Sequence, residues 1–139
     1  MDARVWSIPT EMQKVERPYP HRVPLSDQAM AILKWSKEKY PDSEWIFPAA
    51  VQSKSPHISL QTPRAILIDG LNRPVTMHGC RSTFRDWAAE NLIEETLAEK
   101  SLMHQTGSKV VKAYQRSDLL EQRRVVMQRW ADEILPPQK

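Results

Sequence analysis

The spacing of apolar and polar residues predicts a mainly helical chain with a small β element at its beginning. Two segments, 4–9 ("RVWSIP") and 21–25 ("HRVPL"), are typical of extended strands. The polar stretch between them, 10–20, has the composition of a long hairpin turn. Together they indicate a small antiparallel sheet near the N-terminus, within a fold of the mainly α (α+β) class.

The first helix is predicted from its start and stop signals. Ser26 is a candidate N-cap, Leu25 and Met30 can pack across it as a hydrophobic staple, and Pro41 ends the helix. The run "WIFP" (45–48) then indicates a short, buried extended segment.

Four further helices are predicted along the rest of the chain. One starts at Thr62 and ends at Gly70, and Thr76 is a good N-cap for the next, "MHGCRSTFRDWAAEN". A third covers roughly 93–104. The last begins at Ser117 and is strongly amphipathic, with apolar residues recurring at helical spacing: Leu119, Val126, Met127, Trp130 and Ile134.

Composition narrows the class of protein. A chain of 139 residues with 40% hydrophobic and 27% charged residues fits one globular domain. There is no apolar run long enough to cross a membrane and no signal-peptide core, which predicts a cytoplasmic protein. The lone cysteine, Cys80, excludes an internal disulfide and a multi-cysteine zinc site. A net charge of +3 does not by itself establish nucleic-acid binding.

The start of the predicted helix after Thr76 carries a candidate anion site. His78 and Arg81 are three residues apart and therefore share a helix face. An imidazole, a guanidinium and free backbone N–H groups at a helix N-terminus together suit a phosphate. The alternative is structural, with His78 capping the helix and Arg81 pairing with an acidic neighbour.

Two later residues could complete a reactive site. His104, in "SLMHQTG", lies at a predicted helix end, where the helix dipole alone would favour a histidine. Tyr114 follows ten residues later, in "GSKVVKAYQR", and its aromatic ring could simply pack a helix end. A phenol has a pKa of about 10, so it needs a proton acceptor and charge neutralisation to attack a phosphodiester. Two histidines and an arginine could supply both.

Read in order, these motifs resemble a known family. The set is H-x-x-R in "HGCRSTFRDWAAE", then Leu-x-His, then Ala-Tyr-x-Arg-x-Asp in "AYQRSD". It is similar to the carboxy-terminal catalytic region of the tyrosine recombinases, in the branch of prophage and genomic-island integrases of the P4-phage type. The front half, "WSIP…PHRVPLSDQAMAIL", resembles the same branch, so the likeness covers nearly the whole chain.

The resemblance implies a role for each matching residue. Tyr114 would attack a scissile DNA phosphate and form a 3′-phosphotyrosyl link. Arg81 would clamp the phosphate, His78 would assist proton transfer or positioning, and His104 would hydrogen-bond the phosphate oxygens. The family's hairpin lysine, a general acid for the leaving 5′-oxygen, maps to Lys14.

The resemblance also implies partners and surroundings. Double-stranded DNA at attachment sites would be the substrate, and other protomers would join a tetramer on it. Lys109, Lys112 and Arg116 are candidates for contacts with the DNA backbone. No metal, no other cofactor and no membrane are implied, and the protein would work on the nucleoid in a bacterial cytoplasm, encoded by the bacterium or a phage.

One departure from the family motif limits the expected activity. The family uses a further arginine upstream of the first strand, and Arg4 lies in the wrong context to replace it. We therefore expect residues 1–139 to be a C-terminal catalytic domain truncated on its N-terminal side, with little or no cleavage activity alone. One alternative is a non-catalytic DNA-binding remnant or assembly module of an integrase. Another is a hydrolase with Cys80 as its nucleophile.

The remaining conspicuous residues have structural interpretations. Cys80 is predicted to be buried, and His21 and His57 to be exposed. Arg123 and Arg124 either contact DNA or form the solvated face of the last helix. All five tryptophans are predicted to lie in the core: Trp6, Trp35, Trp45, Trp87 and Trp130.

Overall fold

The computed structural model describes residues 4–13, 19–49, 55–59, 61–73, 75–104 and 117–136. Within these ranges the chain is predominantly helical, with a two-stranded antiparallel sheet near its N-terminus. The predicted mainly α class with a small β element is confirmed. No helix in these ranges is both long enough and apolar enough to cross a membrane.

The sheet pairs β1, Val5–Ile8, with β2, His21–Pro24. Trp6 lies opposite Val23 in this register. The connection begins with one turn of 3₁₀ helix, Thr10–Met12. The side-chain amide of Gln13 then donates to the carbonyls of Ile8 and Tyr19, at 3.2 Å each, and so ties the two ends of the connection together.

Local capping signals set the start of two long helices. Helix α1, Asp27–Lys39, begins after Ser26, whose Oγ accepts from the N–H of Ala29 at 3.2 Å. A short helix α2, Thr62–Ala65, continues into a π-helical turn that ends at Gly70. Helix α3, Met77–Glu90, begins after Thr76, whose Oγ1 accepts from the N–H of Gly79 at 2.9 Å. Both predicted N-caps, Ser26 and Thr76, are confirmed.

The last two helices are shorter than predicted. Helix α4 spans Glu95–Ser101, since the Glu94 carboxylate caps it by accepting from the N–H of Thr96 at 3.0 Å. Helix α5 spans Leu120–Ile134. It starts three residues later than predicted because Leu119, at φ 53°, has a left-handed backbone conformation that no α-helix continues through.

The prediction of a buried run at 45–48 is wrong. Trp45, Ile46 and Phe47 are 45%, 39% and 38% exposed. An isolated bridge pairs Pro48 with His57, the carbonyl of Phe47 accepts from the N–H of Ile58 at 3.1 Å, and Trp45 packs on the His57 ring at 4.5 Å. A two-stranded contact of this length has no second layer to cover its side chains.

The chain divides into two compact units. The first unit contains Met1–Met30 and Arg85–Lys139, and the second contains Ala31–Phe84. The core of the first unit includes the paired rings of Trp87 and Trp130, with centroids 5.1 Å apart. The other apolar residues buried in the first unit are Met30, Ala88, Ala98, Leu102, Val126 and Ala131.

Only part of the predicted tryptophan core is confirmed. Trp87 is buried and Trp130 is half-buried, but Trp6, Trp35 and Trp45 are 58%, 55% and 45% exposed. Trp35 is covered in part by the ammonium of Lys39, which lies 4.9 Å from the ring centroid. Apolar spacing marks the side of an element that can be buried, but burial also requires a facing element.

Candidate active site

His78 and Arg81 lie in the first turns of α3, one helical turn apart, and both side chains are exposed. The Thr76 cap fixes where this helix begins. Gly79 allows the cap to approach closely, since a Cβ there would lie 3.3 Å from the Thr76 Oγ1. The structure therefore places an imidazole and a guanidinium together at a helix N-terminus, where backbone N–H groups and the helix dipole favour an anion.

His104 follows the C-terminus of α4, and its backbone is placed by a Schellman turn. Its N–H donates to the carbonyl of Glu99 at 2.9 Å, and the N–H of Met103 donates to the carbonyl of Lys100 at 3.2 Å. Met103 supplies the left-handed residue of the turn, at φ 60°. A methionine in this conformation costs about 1–2 kcal/mol relative to a right-handed one. The two hydrogen bonds of the turn therefore hold the His104 backbone in place although the Met103 backbone is strained.

The His104 ring is oriented by a buried carboxylate. Its Nδ1 lies 2.7 Å from Oε2 of Glu99, whose side chain is only 9% exposed. The other carboxylate oxygen of Glu99 forms an ion pair with Nε of Arg85, at 3.2 Å. A carboxylate oxygen accepts hydrogen bonds, so in this contact Nδ1 is the donor. The hydrogen bond fixes the orientation of the ring and therefore the direction of Nε2.

Glu99 and Arg85 are the residues that the sequence interpretation missed. Glu99 lies three residues before the buried Leu102, which puts a carboxylate on the inner face of α4. A buried acidic residue needs a partner, and that was a usable signal in the sequence. Arg85 gave no such signal, because it reaches Glu99 from a different helix.

The structure groups these residues as follows. His78 and Arg81 belong to the second unit, and the Arg85–Glu99–His104 cluster belongs to the first. Five predicted site residues lie outside the described ranges: Tyr114, Lys14, Lys109, Lys112 and Arg116. Among the residues that are described, no group of three or more His, Cys, Asp or Glu side chains could hold a metal ion.

The prediction that Cys80 is buried is wrong, because its side chain is exposed. Cys80 lies one helical turn before Phe84, which is 4% exposed. However, His78, Cys80 and Arg81 in the first turns of α3 are all exposed, and burial begins only at Phe84.

Of the two alternatives given for Arg123 and Arg124, the solvated face does not hold for Arg123. Arg123 is 1% exposed and Arg124 is half-buried. The Arg124 guanidinium forms an ion pair with Glu121 at 3.1 Å and donates to the carbonyl of Arg4 at 3.3 Å. Desolvation lowers the pKa of the Arg123 guanidinium, against the opposing charge of Asp118. A charged side chain on α5 is thus no guide to which face meets water.

The chain is similar to several integrases. It is 38% identical over 131 residues to the prophage integrase IntA of Escherichia coli, which covers 94% of the chain and 31% of IntA. It is 31% identical to the putative protein IntB of Escherichia coli, over 94% of the chain and 37% of IntB. It is also 31% identical to the integrase of Enterobacteria phage P4, over 94% of the chain and 33% of that protein.

The chain thus spans about a third of the length of the curated relatives it matches. No protein-family model matches the chain, and no solved structure does. Identity of 31–38% runs over 94% of the chain in these relatives, so the chain is homologous to one region of phage and prophage integrases.

Proposed function

We propose that this chain breaks and rejoins DNA strands in site-specific recombination, with Tyr114 as the nucleophile. The observation that carries the proposal is the exposed His78 and Arg81 pair at the N-terminus of α3. It supplies a cation, a proton carrier and a helix N-terminus, which are the groups that a phosphodiester requires. The similarity to named integrases supports DNA as the substrate.

The proposed reaction conserves the phosphodiester energy. The Tyr114 phenol oxygen loses its proton and attacks phosphorus, the bond from phosphorus to the 5′-oxygen breaks, and the 3′-phosphate becomes linked to tyrosine. Lys14 donates a proton to the leaving 5′-oxygen. In the second half-reaction a 5′-hydroxyl attacks the phosphotyrosine, releases the phenol and restores the strand. No metal or nucleotide is consumed in either step.

Each remaining residue acts on charge or protons. Arg81 neutralises the non-bridging oxygens as charge develops in the transition state. His78 accepts or relays the phenol proton. His104, with Nδ1 held by Glu99, directs Nε2 towards a phosphate oxygen. Lys109, Lys112 and Arg116 bind the DNA backbone beside the nucleophile. Protomers bound at attachment sites exchange strands within a tetramer, in the bacterial cytoplasm.

The proposal is tested by trapping the covalent intermediate. A nicked duplex carrying the attachment site loses a short fragment on cleavage, so any phosphotyrosyl adduct accumulates. The chain is assayed alone and joined to the upstream segment of IntA. In the joined form we expect an adduct that Tyr114→Phe abolishes, while DNA binding by gel shift is retained. Retained binding with no adduct in either form would instead identify a non-catalytic DNA-binding module.

The same assay distinguishes the thiol alternative. Cys80→Ser is the matched control, since it removes the exposed thiol beside the proposed phosphate site. Adduct formation should be unchanged in Cys80→Ser. Loss of activity in Cys80→Ser with full activity in Tyr114→Phe would overturn the assignment of the nucleophile.

A further inference from the structure

Residues Ser117 and Asp118, which lead into α5, are held by three cationic side chains. Arg22 of β2 binds the Asp118 carboxylate through two hydrogen bonds, of 2.7 and 2.8 Å. Lys100 of α4 donates to the carbonyl of Ser117 at 2.6 Å. Arg123 of α5 donates to the carbonyl of Asp118 at 3.3 Å. We call Arg22, Lys100 and Asp118 the anchor.

The ion pair of the anchor, Arg22 with Asp118, is charged at neutral pH. Burial works to raise the pKa of the Asp118 carboxyl, but the hydrogen bond and charge of Arg22 outweigh it and lower that pKa. The hydrogen bond to Asp118 in turn raises the pKa of the Arg22 guanidinium. Two hydrogen bonds from one guanidinium to one carboxylate fix the relative orientation of the two groups as well as the distance between them. Asp118 is therefore held in one orientation relative to β2.

The backbone next to the anchor is fixed locally as well. The Oγ of Ser117 accepts from the N–H of Leu119 at 3.1 Å, and Leu119 has φ 53°. The turn that enters α5 is thereby defined at each of its three residues. All of these contacts lie in the first unit, so they form one attachment point within it.

The anchor lies close to Tyr114 in the sequence. Tyr114 precedes Ser117 by three residues in the sequence. Lys100 holds Ser117 from the same helix end that places His104. The described residues on either side of the segment that carries Tyr114, His104 and Ser117, are therefore both held at the C-terminal end of α4.

We propose that Arg22, Lys100 and Asp118 are positioning residues for Tyr114. This inference rests on the proposed function, in which Tyr114 is the nucleophile. Holding a reactive group near its target raises the rate by removing its translational freedom. The Arg22 and Asp118 side chains are 48% and 36% exposed. Exposed pairs contribute little to the free energy of unfolding, so their loss should affect the reaction more than the fold.

The first experiment measures adduct formation at saturating nicked duplex by the chain joined to the upstream segment of IntA, which is the parent in both experiments. We expect Arg22→Gln and Lys100→Met each to lower the single-turnover rate by about tenfold, since small displacements of reacting groups carry large rate costs. The duplex dissociation constant and the thermal midpoint should stay close to those of the parent. The exchanged pair, Arg22→Asp with Asp118→Arg, should recover most of the rate. Arg4→Gln is the matched control, because it removes an exposed arginine–aspartate pair of the same unit.

The second experiment needs no catalysis. A nitroxide is attached at position 114 in a Cys80→Ser, Tyr114→Cys chain, and its mobility is read from the electron paramagnetic resonance line shape. Arg22→Gln and Lys100→Met should increase the mobility, the exchanged pair should restore it, and Arg4→Gln should leave it unchanged.

The two experiments separate the proposals. A line shape that does not respond to Arg22→Gln or Lys100→Met overturns the positioning role, even if the parent forms an adduct. A line shape that responds in a parent that forms no adduct supports the anchor and overturns the proposed function. A rate loss that the exchanged pair fails to recover, with a lowered thermal midpoint, assigns these residues to folding alone.

Discussion

His104 shows how much of the site depends on one buried carboxylate. Glu99 accepts from its ring and forms an ion pair with Arg85, so a negative charge that would be costly to bury alone is balanced on two sides. The same helix turn that fixes the His104 backbone starts at the carbonyl of Glu99. One residue therefore sets both the position and the ring orientation of the histidine.

Replacing Glu99 should release that orientation. In Glu99→Ala the His104 ring loses its acceptor at Nδ1, so the preference for the Nδ1-protonated form should disappear. Nitrogen NMR shifts of the imidazole measure this directly. His78, whose neighbours are unchanged, is the internal reference. If the His104 shifts in Glu99→Ala match those of the parent, the carboxylate does not select the tautomer.

Arg123 illustrates a burial that the sequence could not predict. It is 1% exposed, and its Nε and Nη2 have no hydrogen-bond partner within the part of the chain that the structure describes. Polar spacing on an amphipathic helix normally marks the solvent face, which was one of the two alternatives for Arg123 beside contact with DNA. Its burial depends on Asp118 and on the carbonyl that Arg123 contacts, which only the folded chain brings into reach.

At the scale of single elements, local signals predicted more than long-range ones. Ser26 and Thr76 were recognised as N-caps because a cap needs only residues two or three positions away. The ends of α4 were misplaced, since its cap is Glu94 and its C-terminal turn uses Met103 rather than a glycine. Trp35 and Cys80 were misassigned because a helix face is buried only where another element covers it.

The Glu94 cap makes the stability of the first turn of α4 depend on pH. The hydrogen bond from Thr96 is the main cause that lowers the pKa of the Glu94 carboxyl. A lowered folded-state pKa means that the stabilisation is complete above the unfolded value of about 4.3 and is lost as pH falls through the folded value.

Two variants of Glu94 should therefore behave differently with pH. Glu94→Ala should lower the free energy of unfolding by about 1 kcal/mol at pH 7, and the difference from the parent should shrink towards pH 3. Glu94→Ser keeps a capping oxygen without a titrating group, so it should retain most of the stability at pH 7. Urea unfolding at the two pH values measures both. If Glu94→Ala lowered the free energy of unfolding equally at pH 7 and pH 3, the ionised Glu94 cap would not be the source of the pH-dependent stability.

At the scale of the whole molecule, the charge is too small to bind DNA by bulk attraction. The chain carries 20 basic and 17 acidic residues, a net charge of +3. The proposed binding to DNA would therefore depend on where the cations are placed. The proposed backbone contacts, Lys109, Lys112 and Arg116, together account for three charges, and many basic residues elsewhere are already engaged, such as Arg22, Arg85 and Arg124.

The salt dependence of DNA affinity distinguishes contacts made by particular cations from attraction by the net charge. Each phosphate contact contributes about 0.9 to the slope of log affinity against log salt, so replacing Lys109, Lys112 and Arg116 with Gln should make that slope less negative by about 2.7. Replacing Lys34, Arg64 and Arg73, which are exposed residues of the second unit, removes the same three charges and should change the slope little. Fluorescence anisotropy with a labelled duplex from 50 to 200 mM salt, a range over which such contacts change affinity strongly, gives both slopes. Equal slope changes in the two triple variants would mean that the segment around Tyr114 does not lie on the DNA backbone.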